Sequence, residues 1–348
     1  MTNREESSST DALPAGGIRI GLNGAGRTGR AFLRALVSRN LPAEVVAVND
    51  LAGAGDLGRL LSRDSVHGRF AGVEVDGEDL FIRGRRIKVL HEAEPKALPW
   101  SSLGVDVVVE ASGRFTAADK AAAHLDAGAR LVVVSAPSKG ADATFVIGVN
   151  QDSFDPARHK VVSNASCTTN CLAPMVKVLD ESFGIESGLM TTVHAYTGDQ
   201  RLVDGLHKDP RRARAAGLNI VPTTTGAARA TALVMAGMEG RLDGAALRVP
   251  VADGSITDLV VQLKRGADVD EVNLAFRKAA AGPLSGVLEY SEDPLVSTDI
   301  LGSTASCVFD SGLTMAGGHL VKVFGWYDNE VGYANRLAEL VVWLGSRL

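Results

Sequence analysis

The stretch I-R-I-G-L-N-G-A-G-R-T-G-R, from Ile18 to Arg30, decides the fold. Ile18 to Leu22 reads as a short apolar strand, and Arg30 to Arg39 as the start of a helical stretch. Between them Gly24, Gly26 and Gly29 are spaced G-x-G-x-x-G in the strand, turn, helix setting that this pattern requires. Small residues there let the backbone approach a pyrophosphate, whose charge the helix N-terminus stabilises. A second strand, Val45 to Asn49, ends at Asp50, about 20 residues past the last glycine. A carboxylate at that point hydrogen-bonds ribose hydroxyls and repels a 2′-phosphate, so the expected cofactor is NAD rather than NADP. A plain glycine turn with a solvated Asp is the competing reading.

The habit continues along the chain. Val105 to Glu110 reads as a strand, Ala117 to Ala127 as a helix and Leu131 to Ser135 as a β-branched strand. Strands alternating with helices imply a parallel sheet covered on both faces, with ligands at the carboxyl ends of its strands. Ser112 and Ser135 fall at such ends. The pattern then becomes strand-rich: Gly188 to Tyr196, Gly244 to Val249, Ile256 to Lys264, Ser303 to Phe309 and Leu320 to Trp326, with antiparallel pairing expected. Helices are expected over Asp268 to Ala280 and Val331 to Leu344. The fold class is therefore α/β, a doubly wound Rossmann-type nucleotide-binding domain plus an α+β catalytic domain with a mainly antiparallel sheet.

Size and composition agree. With 348 residues, 45% hydrophobic and 22% charged, the chain can build two ordinary globular domains. Every apolar run is interrupted before the ~20 residues needed to span a bilayer. Residues 1–17 are polar, lack the apolar core of a signal peptide and read as a disordered tail. The net charge of −5 gives no reason to expect nucleic acid or membrane as partner. Cys167, Cys171 and Cys307 cannot all pair and show no zinc-ligand spacing, so no metal is expected and a reducing cytoplasm is.

The chemistry-bearing run is S-N-A-S-C-T-T-N-C, Ser163 to Cys171. Cys167 sits where an extended segment gives way to a helix, and unpaired N–H groups there lower a thiol's pKa. It is a candidate nucleophile, with a small buried hydrophobe as the alternative. Cys171, one turn on, is expected to pack. His194, near the end of an apolar strand, is either structural or the base that a thiol nucleophile needs. Thr225 and Gly226 precede a helix and suit an anion or a cap. Arg248 lies in an apolar setting where a guanidinium needs an anionic partner. Gly198 to Asn219 is a long basic loop carrying Arg212, expected to be functional or an interface rather than merely solvated.

Together these stretches resemble the phosphorylating glyceraldehyde-3-phosphate dehydrogenases from about Ile18 to Leu344. The fragments carrying the likeness include S-N-A-S-C-T-T-N-C-L-A-P, T-T-V-H-A-Y-T-G-D-Q, T-T-T-G-A-A-R-A and W-Y-D-N-E. The resemblance implies that Cys167 attacks the aldehyde of glyceraldehyde 3-phosphate with His194 as base, forming a hemithioacetal and then a thioester that phosphate cleaves. It places the substrate phosphate on Thr197, Asp199 and Arg248, and the attacking phosphate on Ser166, Thr168, Thr225, Gly226 and Arg212. Asn329 would anchor the nicotinamide carboxamide, and Arg27 and Thr28 would meet the pyrophosphate through their backbone. It further implies a homotetramer with the basic loop at a subunit interface, and domains spanning 18–166 and 167–330 with residues 331–348 returning to the first. Ala25, Thr28 and Val331 depart from the residues common in the family, as does Gly205-Leu206 in the loop. These changes point to a divergent isoenzyme with altered sensitivity to a thiol-directed inhibitor. Competing readings are an erythrose-4-phosphate dehydrogenase and a non-enzymatic binding or regulatory paralogue.

Overall fold

A computed structural model describes residues 17–348, so the expectation of a tail over 1–17 lies, but for Gly17, outside the described residues. Two sheets carry the chain. The first has nine strands, and its centre is parallel: Ala143–Thr144, Val161–Ser163, Leu131–Val134, Val107–Glu110, Ile18–Asn23, Ala43–Asn49 and Arg85–Leu90 lie side by side in that order. Strands Asp79–Ile82 and Val73–Asp76 extend it antiparallel, an edge meander that the sequence reading did not separate. Strands Leu131–Val134 and Val107–Glu110 are buried throughout, as a sheet covered on both faces demands.

The second sheet is mainly antiparallel around Ile185–Ala195, Ser255–Leu263 and Leu320–Tyr327. Two pairings depart from expectation: Leu288–Ser291 runs parallel to Cys307–Asp310, and Ile185–Ala195 runs parallel to Leu242–Val249. Helix Ala227–Val234 lies between the latter two in sequence and supplies the crossover that a parallel pair requires. The register sets His194 opposite Arg248.

Several boundaries also differ. The first helix begins at Arg27, because the glycine turn already has helical hydrogen bonding from Gly26. The helix expected over Ala117 to Ala127 is two short pieces, Ala118–Ala121 and Ala123–Asp126, since the Leu125 N–H bonds three residues back to Ala122 and tightens the turn. Residues 303–306 are not strand; the Ser303 hydroxyl accepts from Ala305 N–H and bends the chain ahead of Cys307–Asp310. Helix Val269–Ala281 starts from Asp268, which forms a capping box with Glu271.

Two large apolar cores follow. One gathers Ile20, Leu22, Phe32 and Val107 with Leu337, Val341 and Leu344 of the C-terminal helix Val331–Gly345. The other lies between helix Cys167–Phe183 and the second sheet, around Leu172, Leu259 and Phe276. Among the described residues no helix is long and apolar enough to cross a membrane.

A buried ionic latch ties the two halves. His67 Nε2 lies 3.1 Å from Glu330 Oε2 and 3.1 Å from Asp253 Oδ2, with Asp328 Oδ2 at 4.0 Å from Nδ1. Burial alone would push the imidazole down, but the facing carboxylates of Asp253 and Glu330 outweigh it and lift it to about 10. Burial, then the neighbouring Asp253, raises Asp328 to about 7. A histidine raised on folding contributes stability that is whole below its unfolded value of 6.5 and is lost as pH climbs through about 10. The melting midpoint is therefore expected to fall between pH 7 and pH 10. Replacing His67→Gln should cost more at pH 7 than at pH 10 in a thermal melt; a deficit that is the same at both values would show that the imidazolium is not the linked group.

Candidate active site

Cys167 opens the helix Cys167–Phe183, and the turn before it is tightly specified. Ala165 has φ +55, a left-handed backbone that a residue with a Cβ adopts only at a cost of about 1–3 kcal/mol. Its N–H donates to Ser163 Oγ at 2.9 Å, its carbonyl accepts from Tyr333 Oη at 3.3 Å, and the Asn170 amide spans to the Asn164 and Ser166 carbonyls. Ser166 caps the helix, accepting from Thr169 N–H at 3.1 Å.

This turn delivers the Cys167 sulfur to 3.4 Å from His194 Nε2. His194 Nδ1 lies 2.7 Å from the Ala195 carbonyl, which can only accept, and 3.2 Å from Arg248 Nη1, which can only donate; the shorter contact assigns the hydrogen to Nδ1 and leaves Nε2 a lone pair for the thiol. Burial, then the Arg248 charge, pushes the imidazole down to about 3. Burial likewise pushes the thiol up, opposed by Arg248 and Thr168. Desolvation thus opposes the acidifying helix terminus that the sequence pointed to, and burial disfavours the charged form of both partners. Cys171 is fully buried against the Gly325 carbonyl and packs as expected.

Arg248 flanks the pair. Its Nη1 donates to Thr197 Oγ1 at 2.9 Å and the Ala195 carbonyl at 3.2 Å, while its Nε is buried with no hydrogen-bond partner. No carboxylate among the described residues lies within ion-pair distance of it. A half-buried cation without a counter-ion is an anion site in waiting. Thr197 donates onward to Asp199, which accepts from Arg212 Nη1 at 2.5 Å, and Arg212 Nε reaches Thr223 Oγ1 at 3.0 Å. The structure thus joins Arg212 to the Arg248 cluster. Thr225 Oγ1 accepts from Ala227 N–H at 3.2 Å, just ahead of the helix whose N-cap is Gly226, a cap without a side-chain hydrogen bond. Thr168 is buried, with its hydroxyl 2.9 Å from Tyr327 Oη, and both its hydroxyl and its backbone N–H interact with the Cys167 sulfur.

The nucleotide crevice lies at the strand ends of the first sheet. Gly24 has φ +96, and a Cβ there would stand 2.5 Å from the Ser112 Cα, so only glycine fits. Gly26 caps the first helix without a side-chain partner, leaving the N–H groups at Arg27 and Thr28 for an anion. Asp50 Oδ2 accepts from Ala25 N–H at 2.7 Å, closing a cavity of about 210 Å³ with Ser112 on its wall. Ser135 stands at the next strand end, its N–H on the Glu110 carbonyl at 2.9 Å. Asn329 is buried, its Oδ1 accepting from Ser255 Oγ at 2.5 Å and its N–H bonding Asp253, which leaves its amide N–H groups as donors. Sequence reasoning missed Tyr327, Ser255 and Asp253. Tyr327 could have been found from the inward alternation of its strand; the other two sit near a strand start where no pattern marks them.

Residues 18–118 match the family "Glyceraldehyde 3-phosphate dehydrogenase, NAD binding domain", and residues 166–329 match "Glyceraldehyde 3-phosphate dehydrogenase, C-terminal domain". The chain is 57% identical to glyceraldehyde-3-phosphate dehydrogenase of Streptomyces coelicolor over 334 residues, 95% of this chain and 99% of that one. It is 54% identical to the enzyme of that name from Geobacillus stearothermophilus, again over 95% of this chain and 99% of the other. With its crevice, its cysteine turn and its anion cluster in one molecule, the chain belongs to the glyceraldehyde 3-phosphate dehydrogenase family.

Proposed function

We propose that the chain oxidises D-glyceraldehyde 3-phosphate with NAD and inorganic phosphate to 1,3-bisphosphoglycerate, serving glycolysis and gluconeogenesis. The approach of Cys167 Sγ to His194 Nε2 at 3.4 Å, beside an uncompensated Arg248, carries this reading. Sulfur attacks the aldehyde carbon while Nε2 takes the thiol proton, so the thiol need not be ionised beforehand. The imidazolium then stabilises the oxyanion of the hemithioacetal, returns the proton to it, and takes it again as that carbon is oxidised. NAD, when bound, supplies the hydride acceptor for this oxidation. Gly24, Gly26, Arg27, Thr28 and Asp50 would hold the dinucleotide, with Ser112 and Ser135 on its wall. Asn329 would fix the nicotinamide through its free amide N–H groups.

Arg248, Thr197 and Asp199 would hold the substrate phosphate, Asp199 acting by orienting Thr197 and Arg212. Ser166, Thr168, Thr225, Gly226 and Arg212 would hold the second phosphate, which displaces Cys167 from the acyl carbon. His194 reprotonates the departing thiolate. A glycolytic role and three free cysteines support a cytoplasmic setting. The erythrose-4-phosphate and non-enzymatic readings are set aside, given the names of the relatives and an intact Cys167, His194 and Arg248.

We divide the chain into a nucleotide domain of residues 18–166, joined by the C-terminal helix, and a catalytic domain of residues 167–330; the two separate apolar cores support this. The homotetramer proposal draws on Leu202, Val203, Leu206, Leu218 and Ile220, which lie 66–95% exposed on or beside the 198–219 loop. Large apolar side chains exposed together along one loop suit an interface. Sedimentation equilibrium should give the mass of four chains; a stable monomer at micromolar concentration would rule this out.

Two kinetic outcomes test the mechanism. NADH formation from glyceraldehyde 3-phosphate should require phosphate or arsenate and vanish in Cys167→Ser; turnover without either anion would sink the acyl-phosphate route. In Arg248→Leu, KM for the substrate should rise. Removing the cation also lets His194 hold its proton to higher pH, so the acidic limb of kcat/KM should move upward. An unmoved limb would mean that Arg248 does not set the base.

A further inference from the structure

Behind the nucleotide crevice lies a buried polar cluster with no role in the chemistry above. Asn23, Asn49, Glu110, Trp100 and His124 are all at most 5% exposed. Glu110 ends its strand with a carboxylate whose acceptor capacity is filled. Oε1 accepts from the N–H and hydroxyl of Ser112 at 2.8 and 2.5 Å, and Oε2 from Asn23 Nδ2 at 2.5 Å and His124 Nε2 at 3.0 Å. The indole N–H of Trp100 points at His124 Nδ1 from 3.0 Å. Because that group can only donate, Nδ1 must be the bare nitrogen, and Nε2 bears the hydrogen given to Glu110. One tautomer is thereby selected from behind.

The cluster reaches the crevice at two points. Asn23 Oδ1 accepts from Asn49 Nδ2 at 2.7 Å, and Asn23, Asn49 and Ser112 all line the cavity. Between Asn23 and Ser112 the Gly24 turn has no slack, given the 2.5 Å that a Cβ there would leave to Ser112. A displaced Ser112 must therefore move the turn that receives the dinucleotide.

We propose that Glu110, His124 and Trp100 are positioning residues for NAD, holding Asn23, Ser112 and the Gly24 turn in the geometry that binds it. This rests on the reading of the crevice as the NAD site. His124→Leu removes the donor to Glu110, whereas His124→Gln keeps an amide N–H on that side. We expect KM for NAD to rise about tenfold in His124→Leu, the loss of one buried hydrogen bond to a charged group, and to stay near wild type in His124→Gln. In both variants kcat and KM for glyceraldehyde 3-phosphate should be unchanged. Trp100→Phe, which deletes the indole N–H and keeps an aromatic core, should raise KM for NAD in the same selective way, and it serves if His124→Leu does not fold.

Asp50→Ala separates the two levels of the argument. If it weakens NAD binding while His124→Leu and Trp100→Phe do not, the positioning role is overturned and the crevice stands. If Asp50→Ala has no effect, the crevice reading itself falls and this proposal with it. Equal losses in kcat and both KM values, accompanied by a lower melting point and without rescue by His124→Gln, would show a merely structural cluster.

Discussion

The site depends on a backbone turn held against its preference. Ala165 occupies the left-handed region without being glycine, and the chain there is gripped at both its N–H and its carbonyl. The grip draws on distant segments: Ser163 at a strand end, Asn170 in the following helix and Tyr333 in the C-terminal helix. Without that turn the helix would begin in another direction, and the thiol would miss the imidazole. Strain of about 1–3 kcal/mol is affordable because the surrounding contacts over-determine it.

Electrostatics follows from the same packing. Helix Cys167–Phe183 brings the thiol into contact with the strand that carries His194, and register sets Arg248 beside it. Burial favours the neutral form of both partners, while the unpaired guanidinium holds the site ready for an anion. In the proposed reaction, charge develops as the substrate brings its own phosphate and a carbon for sulfur to attack. The His67 latch applies related physics elsewhere: carboxylates buried together are tolerated because one imidazolium faces them.

Much of this was legible in the sequence. The glycine spacing gave the nucleotide turn because few other residues permit the backbone path, and Gly24 shows the constraint directly. The alternating strands gave the second sheet, with errors of a few residues where local hydrogen bonds, as at Ser303, stopped a strand early. Arg248 was readable as needing an anion because an apolar stretch leaves a guanidinium no solvent. The thiol's acidity was legible only from one side, since a sequence displays the helix terminus but hides the burial that opposes it. His67 and His124 went unremarked for a related reason: their partners lie far off in the chain, at Asp253 and Glu330 for one and Trp100 and Glu110 for the other.

By itself the sequence determined the two sheet types and the nucleotide turn, and it singled out Cys167, His194 and Arg248 as candidates for nucleophile, base and anion-binding arginine. Each of these rests on residue chemistry or on local periodicity, which a linear string preserves. Only the tertiary structure decided that Cys167 and His194 meet at 3.4 Å, that burial disfavours charge on both, and that a buried carboxylate backs the crevice. Those outcomes depend on distances and desolvation between segments remote in sequence, and such quantities come into being when the chain closes on itself.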